Sequence, residues 1–404
     1  MLAQLDPVPL RKGESWTYTK INGTYESAQP FFPILEKNTV KVPSRDAQNK
    51  IVKDDNGKVV MRDSIFYKEV TKYAAVQKGE KWGFIDALGK PITEFKYDFV
   101  YDFCPEGFAA VGVQSADSPF PQMTFIDRTG KEITPPKFIG VSNFSDGLAA
   151  VSIFDEVNGT APFGFIDKTG QIVVPLKYDQ VHDFHEGRAA VNVNGKWGFI
   201  DAKGNLVIAP QFNTVYDFSE GLSRASNSIK WGFIDNQGRE IIKFNYDGLP
   251  SDNDQNPGLN YGLFVNGLAR VRQGSQEGFI DGRGVLKIPL ENISARDFSE
   301  ELAAVKNRRT GNHWAYIDRR NMIRIAPEQI KKDQTVYNPI DVGDFSDGMA
   351  PILVGMKWGF IDTSGKVVID VKYDRIKKPF TRGIALVALG DSYFYIDKTG
   401  KEYK

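Results

Sequence analysis

The chain has 404 residues, and its 51 Lys plus Arg are balanced by 51 Asp plus Glu, so no net field draws it toward nucleic acid or an anionic membrane. No window approaches the run of about eighteen apolar residues that spans a bilayer, and a lone cysteine, Cys104, excludes an internal disulfide framework and a cysteine-based zinc site. The 28 Phe, 16 Tyr and 38 Gly favour strands and tight turns over helices.

The opening MLAQLDPVPLRKGESW lacks the apolar core of a signal peptide. The protein is therefore expected either in the cytoplasm or exported with its signal already removed, for which LAQ would suit a trimmed cleavage site. Within residues 1–49, ESWTYTKINGTYES reads as a hairpin, and this segment is predicted to cap a repeat array over 50–404. A worn first copy of the repeat is read at IVKDDNGKVV, where Asp54 and Gly57 hold the key positions.

From there one anchor recurs: an aromatic, Ile, Asp, and Gly three residues later. It stands at Asp86, Asp127, Asp167, Asp201, Asp235, Asp281, Asp318, Asp362 and Asp397, with Asn321 replacing the Gly once. The shortest spacings are 34 and 35 residues, and longer ones mark insertions. A Phe-x-x-Gly-x-Ala-x-Val block precedes the anchor, as in DFHEGRAAV, and an apolar run ending in a Tyr-Asp pair follows it, as in QIVVPLKYDQV. In WGFID the side chains alternate between two faces, as strand residues do. Asp followed by Gly suits a hairpin turn, with the carboxylate accepting backbone N–H groups two residues on. Gly after Trp permits a neighbouring backbone to approach closely.

On these residues the array resembles the WG-repeat (KWG-repeat) proteins of bacteria, over roughly residues 50–404. Trp and Gly stand together at Trp82–Gly83, Trp197–Gly198, Trp231–Gly232 and Trp358–Gly359, and other copies drift to TFID at Thr124, FGFID at Phe163, EGFID at Glu277, WAYID at Trp314 and YFYID at Tyr393. That drift argues against chemistry by the Trp itself. The resemblance implies a binding or scaffold module. The fold class is all-β: a tandem array of about nine or ten short hairpin or meander repeats. Of two arrangements, an open β-solenoid is favoured over a closed propeller-like ring, because a 34-residue unit is small beside a blade of about 40–45 residues. The array also ends on a hairpin with no apolar strand after it. Trp and Phe rings are expected to fill the interior shared by neighbouring units, each worth roughly 1.5–3 kcal/mol on burial.

Candidate sites weigh against chemistry. His182 and His185 form a His-x-x-His spacing, but a transition metal needs three or four converging ligands. With His313 they are the only histidines, and no GxSxG elbow accompanies them. The anchor aspartates could imitate a calcium ladder, yet turn capping explains them, and calcium wants six to eight oxygens. The DGRG at 281–284 reads as a turn, and the sequons at Asn22, Asn158 and Asn292 are chance occurrences. No catalytic residue, cofactor or metal is predicted, and the chain is expected to be a monomeric non-enzyme. Function is placed instead in the insertions at 114–124, 152–163, 247–262 and 325–339. The first two occupy the same place in consecutive units and should project side by side, carrying exposed Phe120 and Phe154 as partner-binding residues. The expected partner is a protein, for which an immunity or inhibitor role or surface recognition is envisaged. A spacer or scaffold is the alternative.

Overall fold

The computed structural model describes the backbone of strands between residues 9 and 43, and of residues 61–249 and 262–403; side chains are described from Tyr73 onward within those ranges. The predicted copy at 51–60 and most of the 247–262 insertion lie outside the described residues.

One unit shows how the repeat folds. Gln180–Val181, Ala189–Val193, Lys196–Ile200 and Leu206–Phe212 pair antiparallel in chain order to make a four-stranded blade. The turn after the third strand closes as predicted. Asp201 Oδ1 accepts from the backbone N–H groups of Lys203 and Asn205, each at 2.9 Å, and Gly204 N–H donates back to the Asp201 carbonyl. The same two carboxylate bonds recur from Asp86 to Asp397, so the row of aspartates has a structural task. Gly198 is required because a Cβ there would lie 2.3 Å from the carbonyl oxygen of Ile208. The fourth strand bulges between its partners to Trp197 and Phe199, and only glycine lets it pass that close.

Among the described residues the array contains nine such sheets, most with four strands in sequence order. The second strands are almost wholly buried, whereas the fourth strands expose alternate residues at the outer edge. The core sits between blades. Phe199 of the fourth blade meets Phe218 of the fifth edge-on at 4.8 Å. Equivalent ring pairs join most other seams, including Phe84–Phe103, Phe165–Phe184, Phe279–Phe298 and Phe360–Phe380. Each pair adds about 0.5–1.5 kcal/mol beyond burial. The shared interior is therefore built on Phe. Trp82, Trp197, Trp231 and Trp358 are only partly buried at its margin.

The Phe-Ser-Glu-Gly block supplies a second tie at most seams. Its acid and Gly both take positive φ, as at Glu220 and Gly221, which gives the tight two-residue turn of a hairpin. The acid then bonds the corresponding Gly N–H one blade on: Asp146 to Gly187, Glu186 to Gly221, Glu220 to Gly267 and Glu300 to Gly348. The Ser hydroxyl donates to the carbonyl of the next blade's Phe, as Ser219 does to Phe264 at 2.7 Å.

The predicted all-β tandem array is thus what the chain forms, but the favoured open stack is corrected to the closed ring. Nine blades in an open row would share eight apolar seams, and nine are seen among the described residues. The ninth joins the ends of the array: Ala74, Val76 and Ile85 of the first blade pack on Tyr395 and Tyr403 of the last. A 34-residue unit suffices for a blade because its first strand has only two residues and its turns are short. The predicted hairpin near the start is present as Ser15–Tyr18 paired with Ile21–Tyr25. Ser27–Ala28 pairs with Gln77 and Val76, so the first blade draws a strand from within residues 1–49. No α-helix, and no helix long and apolar enough to cross a membrane, occurs among the described residues.

Candidate functional site

Because strands alternate in direction within a blade, the turn between the second and third strands lies on the same face of the ring as the connector to the next blade. The insertions at 114–124 and 152–163 occupy that turn in the second and third blades, whereas the insertion at 325–339 leaves the fourth strand of the seventh blade and pairs Lys331 with Lys366 at the anchor turn of the eighth.

A recurring clasp closes three of the seams on this face and explains two repeat residues. The Lys before Trp reaches the Asp of the Tyr-Asp pair, in Lys81–Asp98, Lys230–Asp247 and Lys357–Asp374. The second oxygen of each carboxylate accepts a backbone N–H from a turn of the following blade, namely Gln114, Gly274 and Gly390. The Lys bond and then the backbone donor hold the Asp247 and Asp374 carboxyls below the usual range. Trp stands opposite Tyr beneath the clasp, as Trp231 does to Tyr246 and Trp358 to Tyr373.

At the seam between the second and third blades the Lys and Asp are replaced by Gln122 and Ile139, and the inserted loops take over. Phe120 and Phe154 come together there, with ring centroids 5.3 Å apart and planes inclined at 49°. They remain 38% and 36% exposed. Both loops are braced from within. Ser118 Oγ accepts from Phe120 N and Gln122 Nε2 at 3.2 and 3.0 Å, and Asp155 Oδ1 accepts from Val157 N at 2.9 Å. Val157 beside them, and Ile229 and Met356 at the matching turns of the fifth and eighth blades, stand almost fully in solvent. This face therefore offers a fixed aromatic pair and scattered apolar tips. The anchor turns on the opposite face are mostly polar, as in DRTGK, DKTGQ and DAKGN.

The histidine spacing has a different outcome. His182 Nδ1 and His185 Nε2 lie 3.0 and 3.3 Å from separate oxygens of Asp217, so the two rings bracket a carboxylate of the following blade. His182 also packs on Trp197 with centroids 4.6 Å apart. Among the described residues no three His, Cys, Asp or Glu side chains converge to hold a metal ion. Sequence reasoning placed the two phenylalanines but missed the clasp. The paired recurrence of Lys-Trp and Tyr-Asp was its visible signal.

The family model described as "WG containing repeat" matches residues 82–113, 123–153, 163–197, 197–227, 231–254 and 358–393. The first match starts in the third strand of one blade and ends in the second strand of the next, so one sequence unit corresponds to one seam. No curated protein matches the chain. Among solved structures it is similar to a eukaryotic initiation factor at 12% identity, covering 81% of this chain and 93% of that one with a TM-score of 0.51, which bears on fold alone. It is also similar to dihydro-heme d1 dehydrogenase NirN (10% identity, 90% and 77% covered, TM-score 0.39). A third is the β-propeller domain of the Trilobed protease from Pyrococcus furiosus (10%, 76% and 97%, TM-score 0.36).

Proposed function

The chain carries the WG repeat in six segments, and from that premise we propose that its ring is a non-catalytic module that docks a protein partner on the face bearing the insertions at 114–124 and 152–163. The observation that carries this reading is the Phe120–Phe154 pair, two adjacent exposed rings on loops held by their own hydrogen bonds. Aromatic anchors of this kind, fixed before binding, dominate the energetics of protein interfaces. The reading as a non-enzyme is supported by the work the polar side chains already do. The anchor aspartates bond turn amides, and Asp217 is bracketed by two histidines, which leaves no nucleophile, base and orienter in one place among the described residues. An immunity or inhibitor role, or recognition at a cell surface, fits such a module.

The test is capture of a partner from the native host, followed by titration with Phe120→Ala and Phe154→Ala. Each change is expected to weaken binding by over 2 kcal/mol, roughly thirtyfold. A captured partner whose affinity survives both changes and deletion of both loops would place the contact elsewhere. Failure to capture any partner under conditions that preserve the fold would favour a scaffold.

A further inference from the structure

The seam between the sixth and seventh blades has lost all four clasp residues. Gln276 stands in place of Lys, Glu277 in place of Trp, Asn292 in place of Tyr, and Ile293 in place of Asp. This stretch also lies within residues 255–357, which the family model leaves unmatched. Two of the replacements, Glu277 and Asn292, have turned inward. Glu277 is buried, where its carboxylate accepts from Ala295 N at 2.9 Å and lies 3.4 Å from Arg270 Nη1. Asn292 donates to the Glu277 carbonyl, and Asn307 donates to Asn292 Oδ1 at 2.7 Å. Where the Lys81–Asp98, Lys230–Asp247 and Lys357–Asp374 seams carry two aromatic rings under an ion pair, this one has a cleft of about 500 Å³, within the range of ligand-binding pockets.

Its walls are chemically specific. Leu290 and Ile293 form an apolar side, and Gln276 and Asn312 contribute side-chain amides. Arg309 is paired with Glu291 at 3.3 Å, but the Arg308 guanidinium has no partner among the described residues. The turn that carries it is set by Asn307, whose side chain accepts from Thr310 N and whose N–H donates to Thr310 Oγ1. We propose that this cleft binds the carboxylate end of a short extended peptide. Arg308 takes the carboxylate, the amides of Gln276 and Asn312 pair with the peptide backbone, and Leu290 with Ile293 seats an apolar last side chain. A guanidinium fork matches a carboxylate, and one positive charge remains after Arg309 and Glu291 cancel. A sugar acid would share the carboxylate but would find no aromatic ring to stack on. The site lies at a different seam from Phe120 and Phe154 and stands without them.

The test uses the full chain and calorimetric titration with acetyl-Ala-Ala-Leu as free acid, the same peptide as its C-terminal amide, and acetate. The free acid is expected to bind saturably, with the amide and acetate each at least about tenfold weaker. Arg308→Ala, at an exposed position, and Ile293→Asp, which restores the negative charge of the clasp, should each weaken the free acid by a similar factor. Unchanged thermal melting of Arg308→Ala confirms that the fold persists. Equal binding of acid and amide, equal binding of acetate and peptide, no saturable binding, or full affinity in Arg308→Ala would each overturn the proposal.

Discussion

Replacing Phe199 by Ala and, separately, Trp197 by Ala tests where the energy of the repeat resides. The two side chains are two residues apart on one strand, yet Phe199 is 1% exposed whereas Trp197 is only partly covered. Phe199 also forms the edge-on pair with Phe218 across the seam. Removing a fully buried Phe costs about 3–5 kcal/mol, cavity included. Trp197 is larger, but with part of its surface already wet its loss forfeits only about 1–2 kcal/mol of burial. Native-state hydrogen exchange in the fourth and fifth blades reads both values as local opening free energies. A double-mutant cycle of Phe199→Ala with Phe218→Ala should return a coupling of about 0.5–1.5 kcal/mol. If Trp197→Ala costs as much as Phe199→Ala, or the cycle shows no coupling, the assignment of the core to the Phe pairs is refuted.

Gly198→Ala should lower the urea midpoint by the equivalent of about 1–3 kcal/mol, since the new methyl meets the fixed backbone of Ile208 and Pro210. The same change at Gly195, where nothing lies within 4 Å, meets only the strain of positive φ and should cost less; equal losses would count against the close-approach argument. Acid should also weaken the ring in a defined window. At Asp281 burial opposes ionisation, but the N–H groups of Val285 and Arg283 and the Lys287 and Arg283 side chains outweigh it and hold the carboxyl at about 2. Asp127, Asp167, Asp201, Asp235, Asp318 and Asp397 shift the same way. A folded pKa below the unfolded value of about 3.9 gives stability that is complete above that value and lost as pH falls through the folded one. The melting temperature should therefore drop between about pH 4 and pH 2, and a flat profile there would contradict the capping role.

What could be read from the sequence was what local chemistry encodes. Asp201 and Gly204 specify their turn within four residues, and Gly198 announces a close approach whatever lies opposite. The meeting of Phe120 and Phe154 was legible because two insertions at the same point of consecutive units must emerge side by side. Closure was not legible, since it depends on Ala74, Val76 and Ile85 finding Tyr395 and Tyr403 across the whole array, and unit length alone pointed the other way. The burial of Phe over Trp escaped because strand alternation puts Trp197 and Phe199 on one face, and only the seam geometry separates them. Glu277 reads as drift in a single unit, and Ile293 draws no notice beside it. They acquired a meaning only when the other seams showed what their positions normally hold.

The closing seam differs from the rest in how it must be made. The others join segments close in the chain and can form in turn as the polypeptide leaves the ribosome. The ninth joins residues near 75 to residues near 400, so it carries the loop-closure entropy of the entire array and waits for the last strand. Until then the nascent protein presents two apolar faces that fit each other and belong to opposite ends. Two such chains can meet tail to head as readily as one can meet itself, and a contact of that kind propagates instead of closing. A chain cut short before Tyr395 would lose one of those faces and leave Ala74, Val76 and Ile85 uncovered for good.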